Sequence, residues 1–178
     1  MQLTQGMQLE DLTLPNINGS QFDLKDVTGK KALISFFRYS SCPFCHLRIH
    51  EIIERQSDFG KPFEEIFIFN CKLRDLKVTS SMHDSSVTVL ADENRTYFDR
   101  YEVPKSAVQT LVGAATGFSR FRKAVSTGFS PLTKPSGAFT GMPVDVLIDE
   151  AGIVQRVLYG SSTFDHIPIE EVIEFSKT

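Results

Sequence analysis

Lys31-Ala32-Leu33-Ile34-Ser35-Phe36-Phe37-Arg38-Tyr39-Ser40-Ser41-Cys42-Pro43-Phe44-Cys45-His46 is the stretch whose reading decides the fold. After Gly29-Lys30, Ala32 to Phe37 is a nearly continuous apolar run, the pattern of a strand covered on both faces, as in a parallel sheet. A polar loop follows, and then Cys42-Pro43. A polar residue before a proline at the first helical position is a start signal. Leu47, Ile49, Ile52 and Ile53 carry roughly helical spacing, which predicts a helix from Pro43 to Gln56, closed by Gly60-Lys61-Pro62. Ile66-Phe67-Ile68-Phe69 reads as a second buried strand. Strand, helix and strand in this order form a right-handed βαβ unit with parallel neighbouring strands.

Outward from this unit, Leu9 to Leu24 alternates loosely around the turn signal Asn16-Ile17-Asn18-Gly19, which predicts a β-hairpin. Val87 to Leu90 is a further short strand. Ala91-Asp92-Glu93-Asn94 starts a short helix to Tyr101, stopped by Pro104. From Ser106 to Val125, Val108, Leu111, Val112, Ala115, Phe118 and Phe121 recur at three and four, predicting one amphipathic helix despite Gly113 and Gly117. Ser126 to Met142 is rich in Gly, Pro, Ser and Thr and has no period. Val144 to Asp149, Glu150-Ala151-Gly152 and Ile153 to Tyr159 read as a hairpin, and Pro168 to Lys177 as a final helix. No linker separates two cores. The expectation is one α/β domain over residues 1–178, with 106–140 a helix-plus-loop insertion.

The chain of 178 residues is long enough for a hydrophobic core without staples. Its 41% hydrophobic and 23% charged residues exclude wholesale disorder. A net charge of −3 gives no general basis for holding nucleic acid or an anionic membrane. Arg120, Arg122 and Lys123, beside Phe118 and Phe121, read as the outer face of an amphipathic helix. Three cysteines cannot all pair within one molecule, which argues against a secreted disulfide framework. Met1 to Glu10 lacks the basic and apolar regions of a signal peptide, and the densest apolar stretches are too short to span a bilayer. The expected location is the cytoplasm.

Cys42-Pro43-Phe44-Cys45 stands where a buried strand ends and a helix begins. A sulfur at that helix start meets free backbone N–H groups and the positive end of the macrodipole, which favours thiolate over thiol. Arg38 adds positive charge nearby. Cys45, one turn on, is placed to attack a sulfur bonded to Cys42 and close a disulfide. The leading reading is a redox dithiol. Competing readings are haem attachment through Cys-x-x-Cys-His, a zinc site on Cys42, Cys45, His46 and His50, and two packed core thiols. Ser40, Ser41 and Pro43 read as exposed, which argues against the last, and Cys42 is expected to be the accessible nucleophile.

Gly141-Met142-Pro143 directly precedes the strand beginning at Val144. A proline opening a strand is a tolerated edge device. The functional alternative is a cis proline facing the dithiol, presenting the Met142 backbone to an extended thiol substrate.

Cys42-Pro43-Phe44-Cys45 after a strand, with Met142-Pro143 before Val146-Leu147-Ile148-Asp149 and Gly152, resembles the thioredoxin fold. Asp11-Leu12-Thr13-Leu14-Pro15 through Asn18-Gly19 to Gly29-Lys30 is similar to the opening of the peroxiredoxins. So are Val89-Leu90-Ala91-Asp92-Glu93 and Arg100-Tyr101-Glu102-Val103. The resemblance is closest to the alkyl hydroperoxide reductase/thiol-specific antioxidant superfamily, from about residue 6 onward. It implies a thioredoxin-like domain: a central mixed sheet flanked by helices, an N-terminal hairpin, and an insertion before the proline-led strand.

The activity it implies is thiol-dependent reduction of peroxides or disulfides, with Cys42 as nucleophile, Cys45 as resolving thiol, and Met142 and Pro143 orienting the partner. Electrons would come from thioredoxin, glutaredoxin or glutathione. No metal or organic cofactor is required, and a homodimer is among the arrangements it allows. The peroxiredoxin pattern has Pro and Thr or Ser where this chain has Ser35 and Tyr39, and its further Arg falls at about Pro143. Arg38 or Arg48 is the candidate substitute. Missing peroxide-activating groups favour disulfide exchange, while the overall likeness favours peroxide. A reading from another class is a non-catalytic thioredoxin-fold binding module with an inert dithiol.

Cys71, at the end of the second strand, is an auxiliary-thiol candidate against the simpler reading of a buried small hydrophobe. His46 and His50 are proton-donor candidates, with a solvated helix face as the default. The segment Ser126 to Thr140, holding Phe129 and Phe139, is a candidate lid or substrate platform.

Overall fold

The computed structural model describes residues 1–80, 83, 86–127 and 136–178. β1 (Thr13–Pro15) and β2 (Gln21–Asp23) pair antiparallel as the N-terminal hairpin. β3 (Lys31–Phe37), α1 (Pro43–Glu54) and β4 (Phe63–Phe69) form the βαβ unit. α2 (Leu73–Thr79), β5 (Thr88–Ala91) and α3 (Thr96–Arg100) follow, then α4 (Ala107–Thr116) and α5 (Phe118–Ser126). β6 (Val144–Ile148), β7 (Val154–Tyr159) and α6 (Ile169–Lys177) close the chain. The main sheet has the order β5-β4-β3-β6-β7, with β3, β4 and β5 parallel and β6 and β7 antiparallel. Among the described residues, no helix is long and apolar enough to cross a membrane.

The continuous apolar run of β3 follows from its two covered faces. Side chains alternate across a strand. Ala32, Ile34 and Phe36 therefore pack with Leu9, Leu12, Phe98 and Tyr101 on one face. Leu33 and Phe37 pack with Cys45, Ile49 and Ile52 of α1 and with Val172 and Ile173 of α6 on the other. Each fully buried aliphatic or aromatic side chain contributes about 1.5–3 kcal/mol. This double-sided packing anchors the C-terminal end of β3, and the loop leaving it delivers the start of α1 to a fixed place.

Two features depart from the sequence pattern. The stretch from Ser106 to Val125 is two helices, broken at Gly117, whose N–H closes α4 on Gly113 and whose carbonyl opens α5 to Phe121. A β-carbon on Gly117 would press into the Phe44 ring at 2.5 Å, so the break lies where the insertion packs against the dithiol motif. Within the aperiodic stretch, residues 136–142 form a strap that crosses the loop after β3. Phe129 lies outside the described residues.

Candidate active site

Cys42 is the N-cap of α1, with extended dihedrals, and Pro43 follows it at the first helical position. Its backbone N–H turns back to the Tyr39 carbonyl at 3.1 Å, which tucks the sulfur under the first turn. The Cys42 Sγ accepts the Cys45 backbone N–H at 3.4 Å, and Arg38 Nη1 stands 3.9 Å away. Burial pushes the Cys42 thiol up. The Cys45 S–H bond, the Arg38 guanidinium and the amides of Cys45 and Phe44 outweigh it and bring the thiol down to about 7. Burial, the hydrogen bond with Cys42 and the charge of Cys42 hold Cys45 well above the ordinary thiol range. One ionised sulfur and one protonated neighbour is the division of labour that a nucleophile and a resolving thiol require. The two sulfurs are not joined in this structure.

The expectation of an exposed Cys42 is not met. Cys42 is 0% exposed, and Ser40 and Ser41 are buried with it. The cover is the strap. Ser40 N–H donates to the Ser136 carbonyl at 2.9 Å, and the Ser136 N–H to Ser40 Oγ at 3.3 Å. The Ala138 N–H donates to Asn70 Oδ1 at 3.2 Å. Phe139 lies against Tyr39, ring centroids 5.0 Å apart, and the Arg38 guanidinium sits over both rings. Arg38 Nη2 donates to the Phe139 carbonyl and, at 3.4 Å, to Thr110 Oγ1. An apolar groove of about 290 Å³ runs beside this cover, walled by Pro43, Phe44, Phe118, Phe121 and Phe139.

The cis-proline expectation is also corrected. Among the described residues the cis peptide is Lys61–Pro62, and Met142–Pro143 is trans. The Met142 N–H donates to the Pro104 carbonyl at 2.8 Å, and the Pro143 carbonyl accepts from Gly160 at 2.9 Å. The backbone edge expected to receive a substrate is already paired inside the fold.

Arg38 meets Cys42, but Arg48 does not. Its Nη2 donates to the Ile167 carbonyl at 2.6 Å on another face of α1. Cys71 packs in the same apolar cluster as Cys42 and Cys45, and burial pushes its thiol up, so it reads as core. His46 is buried, with Nε2 at 2.6 Å from the Ser40 carbonyl and Nδ1 at 2.8 Å from His83 Nε2. Burial pushes it down to about 4, so it braces the loop as a neutral ring. His50 pairs with Glu54 at 3.3 Å. Among the described residues no three His, Cys, Asp or Glu side chains cluster as metal ligands.

A buried polar group behind α1 escaped the sequence reading. Ser35 on β3 and Asp145 on β6 are register partners, joined by an Oγ–Oδ1 hydrogen bond of 2.7 Å. Asp145 also accepts from His166 Nδ1 at 3.1 Å and the Ile167 N–H at 3.0 Å. Burial pushes the Asp145 carboxyl up, but His166, Arg48 and Ser35 together hold it below its ordinary value. The signal was present: one polar residue inside each of two apolar strand runs.

Comparison with known proteins follows this geometry. Residues 6–157 match the AhpC/TSA family. Among solved structures, the chain is similar to a thiol peroxidase from Chromobacterium violaceum, at 16% identity and a TM-score of 0.67, covering 100% of this chain and 90% of that one. A protein described as the thiol:disulfide interchange protein DsbE from Chlorobium tepidum matches at 18% identity and a TM-score of 0.63, covering 99% of both chains. Peroxidoxin BcpB from Mycobacterium tuberculosis matches at 15% identity and a TM-score of 0.61, covering 90% of this chain and 88% of that one. No curated protein matches by sequence. At these identities the neighbours establish the thioredoxin-type fold, while the match over most of the length establishes the lineage: the chain belongs to the AhpC/TSA family.

Proposed function

We propose that the protein is a thiol-dependent oxidoreductase that reduces hydroperoxides at Cys42, with Cys45 as the resolving thiol. The observation that carries this reading is the Cys42 sulfur held between the Cys45 N–H and the Arg38 guanidinium, with its thiol brought down to about 7. The Cys42 thiolate attacks one peroxide oxygen, the O–O bond breaks, and the other oxygen leaves as an alcohol or water after taking a proton. Cys42 becomes a sulfenic acid. The Cys45 sulfur then attacks it, water leaves, and a Cys42–Cys45 disulfide forms. A thiol reductant such as thioredoxin, glutaredoxin or glutathione returns two electrons and two protons.

Two features support peroxide over a protein disulfide as oxidant. The Met142 N–H, which an extended polypeptide would need, is engaged by Pro104. The sulfur is covered, which favours a small oxidant over a bulky one. Three cysteines, an odd number, support a reducing compartment such as the cytoplasm.

Stopped-flow oxidation of the reduced protein by hydrogen peroxide, run beside an aromatic disulfide reagent, tests the assignment. Peroxide should react far faster than it does with free cysteine, and Cys42→Ser should remove that reaction. Rates equal to free cysteine would favour the non-catalytic binding module. A strong preference for the disulfide reagent would move the enzyme to disulfide exchange.

A further inference from the structure

Behind the dithiol helix lies a second cleft, of about 210 Å³, bounded by α1, α5 and the segment leading into α6. Phe44, the residue inside the Cys-x-x-Cys motif, forms one wall and meets Phe164 edge-on at 5.6 Å. Two arginines, Arg48 and Arg120, line the cleft together with one carboxylate, Glu51, which is paired with Lys123. Arg48 is 7% exposed, and among the described residues its Nε has no partner and its one hydrogen bond is to the Ile167 carbonyl. A buried guanidinium without an ion pair is costly to the fold. Every carboxylate that attracts Arg48 is committed elsewhere: Asp145 to Ser35, His166 and Ile167, Glu51 to Lys123 at 2.7 Å, and Glu170 to Arg55 at 3.5 Å. Arg120, across the cleft, lies over the Phe164 ring at 5.0 Å and makes no ion pair among the described residues. His166 adds a third polar atom, since its Nε2 is buried and has no partner among the described residues.

We propose that this cleft is an oxyanion-binding site, in which Arg48 and Arg120 grip a carboxylate or phosphate group of a small molecule. Two arginines present planar forks that suit either group, and charge-assisted hydrogen bonds are the strong ones. The cleft takes one wall from Phe44, inside the dithiol motif, and the occupant we assign to it is a small thiol that carries a carboxylate. That choice of ligand rests on the redox reading above. The site itself does not.

Calorimetric titration of inorganic phosphate into the full chain tests it, in the wild type, in Arg120→Gln and in Arg122→Gln, which removes the same charge from the same helix outside the cleft. Performing the titrations on a Cys42→Ser background separates binding from redox chemistry. The wild type and Arg122→Gln should bind phosphate saturably, and Arg120→Gln should bind about tenfold or more weakly. Arg120 is exposed, so its loss leaves the core intact. No saturable binding in the wild type, or equal affinity in Arg120→Gln, would overturn the proposal. Reduced glutathione, which carries two carboxylates, is then titrated against bound phosphate. Displacement supports the site with a thiol's carboxylate as its natural occupant. Retention of phosphate supports it with a free oxyanion.

Discussion

Arg38 Nη1 stands 3.9 Å from the Cys42 sulfur while Nη2 of the same guanidinium is fixed by the Phe139 carbonyl and Thr110. The charge that favours the thiolate is therefore held by the segment that covers it. Arg38→Met should raise the Cys42 thiol by about one to three pH units, the range for an opposite charge at this distance. Iodoacetamide alkylation against pH reads this directly. In the wild type the rate should rise through a midpoint near 7 and level off above it. In the variant the midpoint moves upward and the rate at neutral pH falls about fivefold or more. The same lowered value favours the folded state above the unfolded thiol's range, and that contribution is lost as pH falls through about 7.

Cys45→Ser should separate the two halves of the cycle. Oxidation of Cys42 should proceed, but the sulfenic acid should persist and be captured by dimedone as a single adduct in the mass spectrum. The wild type should instead give a loss of two hydrogens and little adduct. An adduct on Cys71 in place of Cys42 would reassign the nucleophile.

The strap rests on Asn70 through Gly137, which holds φ at +109°, where a β-carbon would overlap the Asn70 carbonyl. Gly137→Ala should lift the strap from the loop after β3 and cost about 1–3 kcal/mol of stability. Alkylation of Cys42 by a bulky maleimide should accelerate more than alkylation by iodoacetamide, because the larger reagent depends more on the opening. Equal acceleration of both would show that access is not governed by this cover.

His46 gives the fold an acid-sensitive point. Its ring is buried and pushed down to about 4, whereas an unfolded histidine titrates near its ordinary value. Between these values the unfolded chain binds the extra proton, so stability is fully present above about 6.5 and declines as pH falls towards about 4. The loss across this window is on the order of 3 kcal/mol. Urea midpoints measured from pH 7 to pH 4 should show the decline, and His46→Leu should flatten it.

The sheet and the start of α1 were legible in the sequence because both depend on local patterns: the apolar run of β3, the proline after Cys42, and the hairpin turns. The family likeness was legible for the same reason. The cover over Cys42 was not, since Ser40 and Ser41 are small and polar and the strap that packs on Ser40 comes from residues nearly a hundred positions later. The break at Gly117 was hidden because hydrophobic spacing continues across it, and only contact with Phe44 reveals why the helix divides there. Arg48 was singled out for the wrong neighbour. Its position on α1 turns it from the sulfur towards Ile167, a direction that chain order does not encode.

Phe44 is a partition. Its ring borders both the aromatic groove and the arginine cleft, and its edge reaches the point where α4 gives way to α5. Trimming it to alanine would merge two chambers of opposite character into one and unseat the junction of the insertion. The inner residues of the dithiol motif are therefore not a free dial for potential here. Any replacement at Phe44 also redraws the walls of both chambers.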